Sequence, residues 1–222
     1  KLETIDVLKG ILAHEFLHMI LFNYRVLIYG KGYMGDYMEE LWINEGLAHI
    51  AEDLNGYNRS NVKRADLFLE DPGDVTLIYG GDELEERGAS YLFLRYIGDR
   101  FGDAIFRSFV QTHDVGVENV EHRTGERFLD IFTDWAAALY LSGRGISDDP
   151  RYEFKSIDLR NDFEALRVFD LSAAQGSLVG DVKAMAPEFV RLQMDAGYDY
   201  NVEVESLLEN GGRMNLAVIK LE

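Results

Sequence analysis

The chain has 222 residues, 47% of them hydrophobic and 12% aromatic, a composition that supports a packed core and excludes a disordered chain. Its 22 basic residues face 40 acidic ones, for a formal net charge of -18, which repels phosphate backbones and argues against a nucleic-acid partner. Cysteine is absent, so disulfides, thiolate metal sites and cysteine nucleophiles are ruled out together, and no apolar run reaches transmembrane length.

The chain opens directly into a helical pattern. Ile5, Leu8, Leu12, Phe16 and Met19 recur at three- and four-residue steps, as one apolar face of a helix does. That abrupt opening leads us to expect a longer protein, with a front part and any targeting segment ahead of Lys1. Gly30, Gly32 and Gly35 mark a loop. A second helix is predicted from about Glu40 to Leu54, with Gly56 placed to end it. Pro72, Gly73, Gly80 and Gly81 punctuate the next loop. A third helix fits Glu83 to Phe101, with Leu84, Tyr91, Leu92, Leu94 and Ile97 as its apolar contacts. A fourth and a fifth fit Asp103 to Thr112 and Gly125 to Leu141, and the tract from Gly143 to Pro150 reads as a linker.

After the linker the period changes to two. Phe189, Arg191 and Gln193 alternate with Val190, Leu192 and Met194, and Tyr200, Val202 and Val204 alternate with Asn201, Glu203 and Glu205. Leu216, Val218, Ile219 and Leu221 make a last run, with Asn210, Gly211 and Gly212 before it as a hairpin turn. We therefore expect an α+β chain, with a mostly helical portion over 1–147 and a small β-rich, sandwich-like domain over 148–222.

The chemistry concentrates in two short segments. The first is His14-Glu15-Phe16-Leu17-His18, an H-E-x-x-H sequence. On a helix the i, i+4 spacing puts both imidazoles on one face, one turn apart, where they can share a zinc ion. Glu15 is rotated by roughly 100° from His14, which suits a general base for a water at the metal rather than a ligand. The second segment is Trp42-Ile43-Asn44-Glu45-Gly46-Leu47-Ala48-His49. A catalytic zinc needs a third protein ligand and one open position, and Glu45 offers a carboxylate at the start of the second helix.

H-E-x-x-H followed by W-x-N-E-G-x-A resembles the gluzincin metallopeptidases, zincins whose third ligand is a glutamate. HEFLHMI with WINEGLAHIAEDL is most similar to the hyicolysin-like peptidases; it also resembles the M1-type aminopeptidases and, more distantly, thermolysin. The likeness covers residues 1 to about 141, where Gly88-Ala-Ser-Tyr-Leu-Phe and Phe132-Thr-Asp-Trp135 share the family's look. It implies a zincin fold, zinc held by His14, His18 and Glu45, and Glu15 as the base. It also implies that Asn44 supports the second histidine and that Glu52 is a carboxylate behind the metal ligands. Thermolysin keeps an aspartate four residues after its glutamate ligand; here that position is His49, which reads equally well as a packed or a supporting residue.

The pattern departs from the family at the group that faces the developing oxyanion. The aminopeptidases carry a tyrosine three residues before the glycine equivalent to Gly88, where this chain has Glu85, and Arg87 directly precedes that glycine. Tyr79, Arg87, Tyr91, His113 and His122 are the available donors, and sequence alone does not choose among them. The resemblance implies a zinc-dependent endopeptidase, secreted or in the cell envelope, acting on peptide or protein substrates. The alternatives are an M1-like aminopeptidase, which needs a site for the substrate's free amine, and a module that keeps zinc without turnover. No Asp-rich loop has calcium spacing.

Overall fold

A computed structural model describes residues 2–32, 35, 37–81, 83–172, 177–195, 203–204 and 214–220. Among these residues the chain is mostly helical, with seven α-helices and one small two-stranded sheet. Helix α1 spans Leu2–Phe22 and runs on into a π-helical segment, Asn23–Tyr29. Then follow α2 (Leu41–Leu54), α3 (Arg59–Glu70), α4 (Leu84–Phe101), α5 (Ile105–Val110), α6 (Gly116–Thr124) and α7 (Phe128–Leu141). No helix among the described residues is long and apolar enough to cross a membrane.

Helices α2 and α4 form the centre. Trp42, Ile43, Leu47 and Ile50 of α2 are buried, as is every residue of α4 from Gly88 to Asp99. Phe68 of α3 stacks on Trp135 of α7 with ring centroids 5.7 Å apart, and Phe93 of α4 meets Trp135 edge-on at 5.4 Å, geometries that add to the burial of large rings. Two glycines let α4 approach α2 and α3 closely. A Cβ at Gly46 would meet Leu94 Cδ1 at 2.8 Å, and one at Gly88 would lie 2.0 Å from the Arg64 carbonyl oxygen. Each glycine adjoins a charged residue of the site, Glu45 or Arg87.

The apolar stripe on α1 has the expected period but an unexpected orientation. Leu12, Phe16 and Met19 are 67%, 61% and 64% exposed, and Ile5 and Leu8 are also exposed. The inward face is instead the one that carries His14, with Gly10 and Leu21 buried on it and Leu17 packed against the core. The long apolar side chains of α1 thus have no cover among the described residues.

Two helices are additions to the expected set. The spacing Val62, Ala65, Phe68, Leu69 is helical, yet α3 is short and strongly polar; α6 is shorter still. The helix expected over Asp103 to Thr112 contracts to Ile105–Val110, and the one expected from Gly125 begins at Phe128, after Gly125 adopts a left-handed conformation with φ of 74° that ends α6.

Beyond the predicted linker, Phe154, Leu159 and Leu166 join the same hydrophobic core as the helices. Strand β1 (Phe169–Ser172) pairs in parallel with β2 (Val190–Gln193), Phe169 opposite Val190 and Ser172 opposite Gln193. Strand β2 lies inside the alternating run read from sequence, whereas β1 has no counterpart there. Residues 203–204 and 214–220 carry no strand, since the register there finds no partner among the described residues. The rest of the predicted strands, 200–202, 205 and 221, and the hairpin at 210–212 lie outside them.

Candidate metal centre

The inward face of α1 brings His14 and His18 against the first turns of α2. Glu40 precedes α2 in an extended conformation, and its carbonyl oxygen accepts from the amides of Ile43 at 3.1 Å and Asn44 at 2.9 Å. That start fixes the direction in which Asn44 and Glu45 leave the helix. Glu45 Oε2 lies 3.4 Å from His14 Nε2, and Glu45 Oε1 lies 3.4 Å from His18 Nε2. The three side chains can offer ligand atoms within 4.8 Å of one another. They are largely withdrawn from solvent, with side-chain exposures of 12%, 25% and 10% for His14, His18 and Glu45.

The other ring nitrogens are occupied. His14 Nδ1 is 2.7 Å from Glu52 Oε1, and His18 Nδ1 is 2.8 Å from Asn44 Oδ1. With Nδ1–H donated to an oxygen in each case, the Nε2 lone pairs are the ones turned toward Glu45. Glu45 Oε2 is buried and lacks a hydrogen bond of good geometry. Two imidazole nitrogens and a carboxylate oxygen, aimed at one point with their backs fixed, are the donor set that suits zinc. The residues therefore fit such an ion.

The electrostatics describe the same cluster without a cation in it. Burial opposes protonation of His14, but its bonds to the Glu45 and Glu52 carboxylates outweigh burial and lift its pKa to about 9. Burial likewise works against a charged Glu45, yet His14, Arg87 and His18 together hold it near 2. Glu52 resists burial in the same way, through His14 and His49, and also falls to about 2. The two carboxylates thus favour positive charge at His14.

Glu15 is exposed and lines a cleft of about 450 Å³ together with His14, Glu52, Tyr57, Arg64 and Arg87. The cleft is walled by α1 on one side and by the start of α3 on the other; a Cβ at Gly10 would touch Tyr57 Cβ at 3.3 Å. All six residues selected from sequence, His14, Glu15, His18, Asn44, Glu45 and Glu52, therefore gather at this one place.

Behind them stand His49 and Arg87, which the sequence left without an assigned role, and a set of partners that sequence reading missed. His49 is fully buried, its Nδ1 3.0 Å from the same Glu52 oxygen that His14 uses, and burial lowers its pKa to about 4. Asn61 of α3 donates to the His49 carbonyl at 2.9 Å and accepts from Arg64 at 2.9 Å. Arg87 Nη1 lies 3.2 Å from Glu45 Oε2. Before α2, the buried Arg25 donates to Glu39 at 2.6 Å and to the carbonyls of Phe109 and Asp114 at 2.8 and 2.6 Å, while Glu39 accepts from Gly116 N and Asn119 at 2.7 Å each. This network ties the π-helical segment and α6 to the chain just ahead of Glu45. The i+4 step from Glu45 to His49 and the place of Arg87 just before Gly88 were signals for two of these residues; Asn61, Arg64, Arg25 and Glu39 left none.

A further group, Asp114, Glu118 and His122, could also offer three ligand atoms. It lies at the surface, and Arg123 already stands 2.7 Å from Asp114, supplying positive charge. No protein-family model matches this chain, and no curated protein matches it in sequence.

Proposed function

We propose that this chain is a zinc-dependent peptidase of the gluzincin type, most naturally an endopeptidase, with His14, His18 and Glu45 as ligands and Glu15 as general base. The observation that carries the proposal is the convergence of the His14 and His18 Nε2 atoms on the two oxygens of Glu45, each at 3.4 Å. The H-E-x-x-H and N-E-G-L-A segments support it independently. Zinc, when bound, supplies the Lewis acidity that activates water and polarises a carbonyl.

The remaining work falls to the chain's own side chains. Glu52 and Asn44 fix the tautomers and ring planes of the two histidines. Glu15, one residue from His14 and open to the cleft, takes the proton from the attacking water and delivers it to the leaving amine nitrogen. One carboxylate serves both transfers because it ends each cycle as it began, unprotonated. The substrate class is an amide-bonded chain lying along the cleft between α1 and α3.

The test is Glu15→Gln, which keeps the shape of the side chain and removes its basicity. Zinc content of the variant stays equal to wild type, and turnover of unfolded casein falls by about 10²- to 10⁴-fold. Turnover near the wild-type level refutes Glu15 as the base.

A further inference from the structure

We propose that Arg87 is the group that hydrogen-bonds the substrate's carbonyl oxygen as that oxygen gains negative charge. This assignment rests on the peptidase function proposed above. It concerns the one role for which sequence offers five donors and no choice among them. Four of the five do not line the cleft. Tyr79 is buried with its hydroxyl 3.3 Å from Ser90 Oγ, and Tyr91 is wholly inside the core. His113 packs against the rings of Tyr29 and Tyr37, at 4.4 and 5.1 Å between centroids. His122 Nδ1 lies 3.0 Å from Asp114 at the surface. Arg87 lines the same cleft as His14 and Glu15.

Position and chemistry agree. Arg87 Nη1 is 3.2 Å from Glu45 Oε2, the oxygen that faces His14 Nε2. Arginine has donors and no lone pair to give, so it stands beside a metal's ligand set rather than within it. Its guanidinium presents a planar fork of N–H groups. The side chain is 20% exposed, so its charge acts in a partly water-excluded setting where a fixed donor is most effective. Its backbone is anchored: Ser90 Oγ donates to the Arg87 carbonyl at 3.0 Å, and the bare Gly88 seats this turn of α4 on the Arg64 carbonyl of α3. Tyr57 also borders the cleft, but its ring lies under Lys9 Nζ at 5.6 Å.

The step balances without any further reagent. Water's oxygen bonds to the amide carbon, its proton passes to Glu15, and the carbonyl π pair moves onto oxygen. Arg87 donates a hydrogen bond to that oxygen and transfers no proton. When the C–N bond breaks, the pair returns to re-form the carbonyl, and the amine leaves with the proton from Glu15.

The experiment compares zinc-loaded wild type with Arg87→Ala, Arg87→Lys and Tyr57→Phe. It measures zinc per chain, casein turnover, and the Kd of an N-acylated Phe–Leu phosphinate, whose tetrahedral anion mimics the charged carbonyl. Arg87→Ala is expected to keep its zinc, to lose about 100- to 1000-fold in turnover, and to bind the phosphinate more weakly by a similar factor. Free guanidinium ion is expected to restore part of its activity, and Arg87→Lys to fall between Ala and wild type. Turnover and phosphinate affinity within twofold of wild type overturn the proposal, as does loss of zinc in Arg87→Ala, or a larger loss in Tyr57→Phe. A wild-type chain that binds zinc and cleaves no casein refutes the peptidase function itself, and this role falls with it.

Discussion

Asn44 Oδ1 lies 2.8 Å from His18 Nδ1, so the residue just ahead of the candidate carboxylate ligand holds the ring of the second candidate histidine. The matching contact, His14 Nδ1 to Glu52 at 2.7 Å, holds the first. Helix α2 thereby orients both imidazoles of α1. Removing such a partner typically costs 10- to 100-fold in metal affinity, roughly. Asn44→Ala and Glu52→Gln are each expected to weaken zinc binding by about that factor, with helix content unchanged by circular dichroism; a chelator-competition titration measures it.

Metal binding should depend on pH with a definite sign. His14 has its pKa raised from 6.5 to about 9, so its protonated form stabilises the chelator-treated fold fully below about pH 6.5 and that contribution is lost as pH rises through 9. Glu45 and Glu52 are depressed from 4.5 to about 2; their contribution is present above about 4.5 and lost as pH falls through 2. A metal needs the neutral imidazole. Apparent zinc affinity is therefore expected to rise by about tenfold per pH unit between 7 and 9 from the His14 proton alone, with proton release detected by calorimetry in two buffers of different ionisation enthalpy. An affinity flat across that range contradicts the raised His14 pKa.

The Arg25–Glu39 pair should matter more than a surface ion pair. Both side chains are buried, and burial pulls the Arg25 pKa down and the Glu39 pKa up, while each opposes that shift in the other and the Gly116 and Glu40 amides oppose it in Glu39. Breaking one side of such a pair leaves an uncompensated buried charge, which costs about 3–5 kcal/mol. Arg25→Ala is expected to show that loss in urea unfolding, and to lower zinc affinity as well, because Glu39 lies one residue ahead of the Glu40 carbonyl that starts α2.

Gly88→Ala tests the packing that seats Arg87. The added Cβ would lie 2.0 Å from the Arg64 carbonyl oxygen, a backbone atom that cannot turn aside. Separating α3 from α4 to make room is expected to cost at least about 1–3 kcal/mol, read as a lower urea midpoint. A midpoint unchanged from wild type shows that the two helices are less tightly apposed than described.

The helical period was legible wherever a long segment carried repeated large apolar residues. That holds for α2 and α4, whose boundaries match the sequence reading within one residue. It misled about direction in α1: Leu12, Phe16 and Met19 suggest the buried face, yet the buried face is the one bearing Gly10, His14 and Leu21. Period identifies a helix; it does not say which neighbour the stripe meets. Helix α3 escaped notice because its first two turns between Gly56 and the Leu67-Phe68-Leu69 run carry only Val62 and Ala65 as apolar residues among polar and charged ones. The metal-facing residues were legible because two histidines one turn apart leave a local signature. Arg25 and Glu39, or Arg64 and Asn61, leave none, since a buried charge reads like a surface charge until its partner is in place.

Anomalous diffraction from the zinc-loaded protein at the zinc edge tests the central claim most directly. One peak is expected, about 2.0–2.2 Å from His14 Nε2, His18 Nε2 and an oxygen of Glu45. No peak there, or a single peak at Asp114, Glu118 and His122, contradicts it.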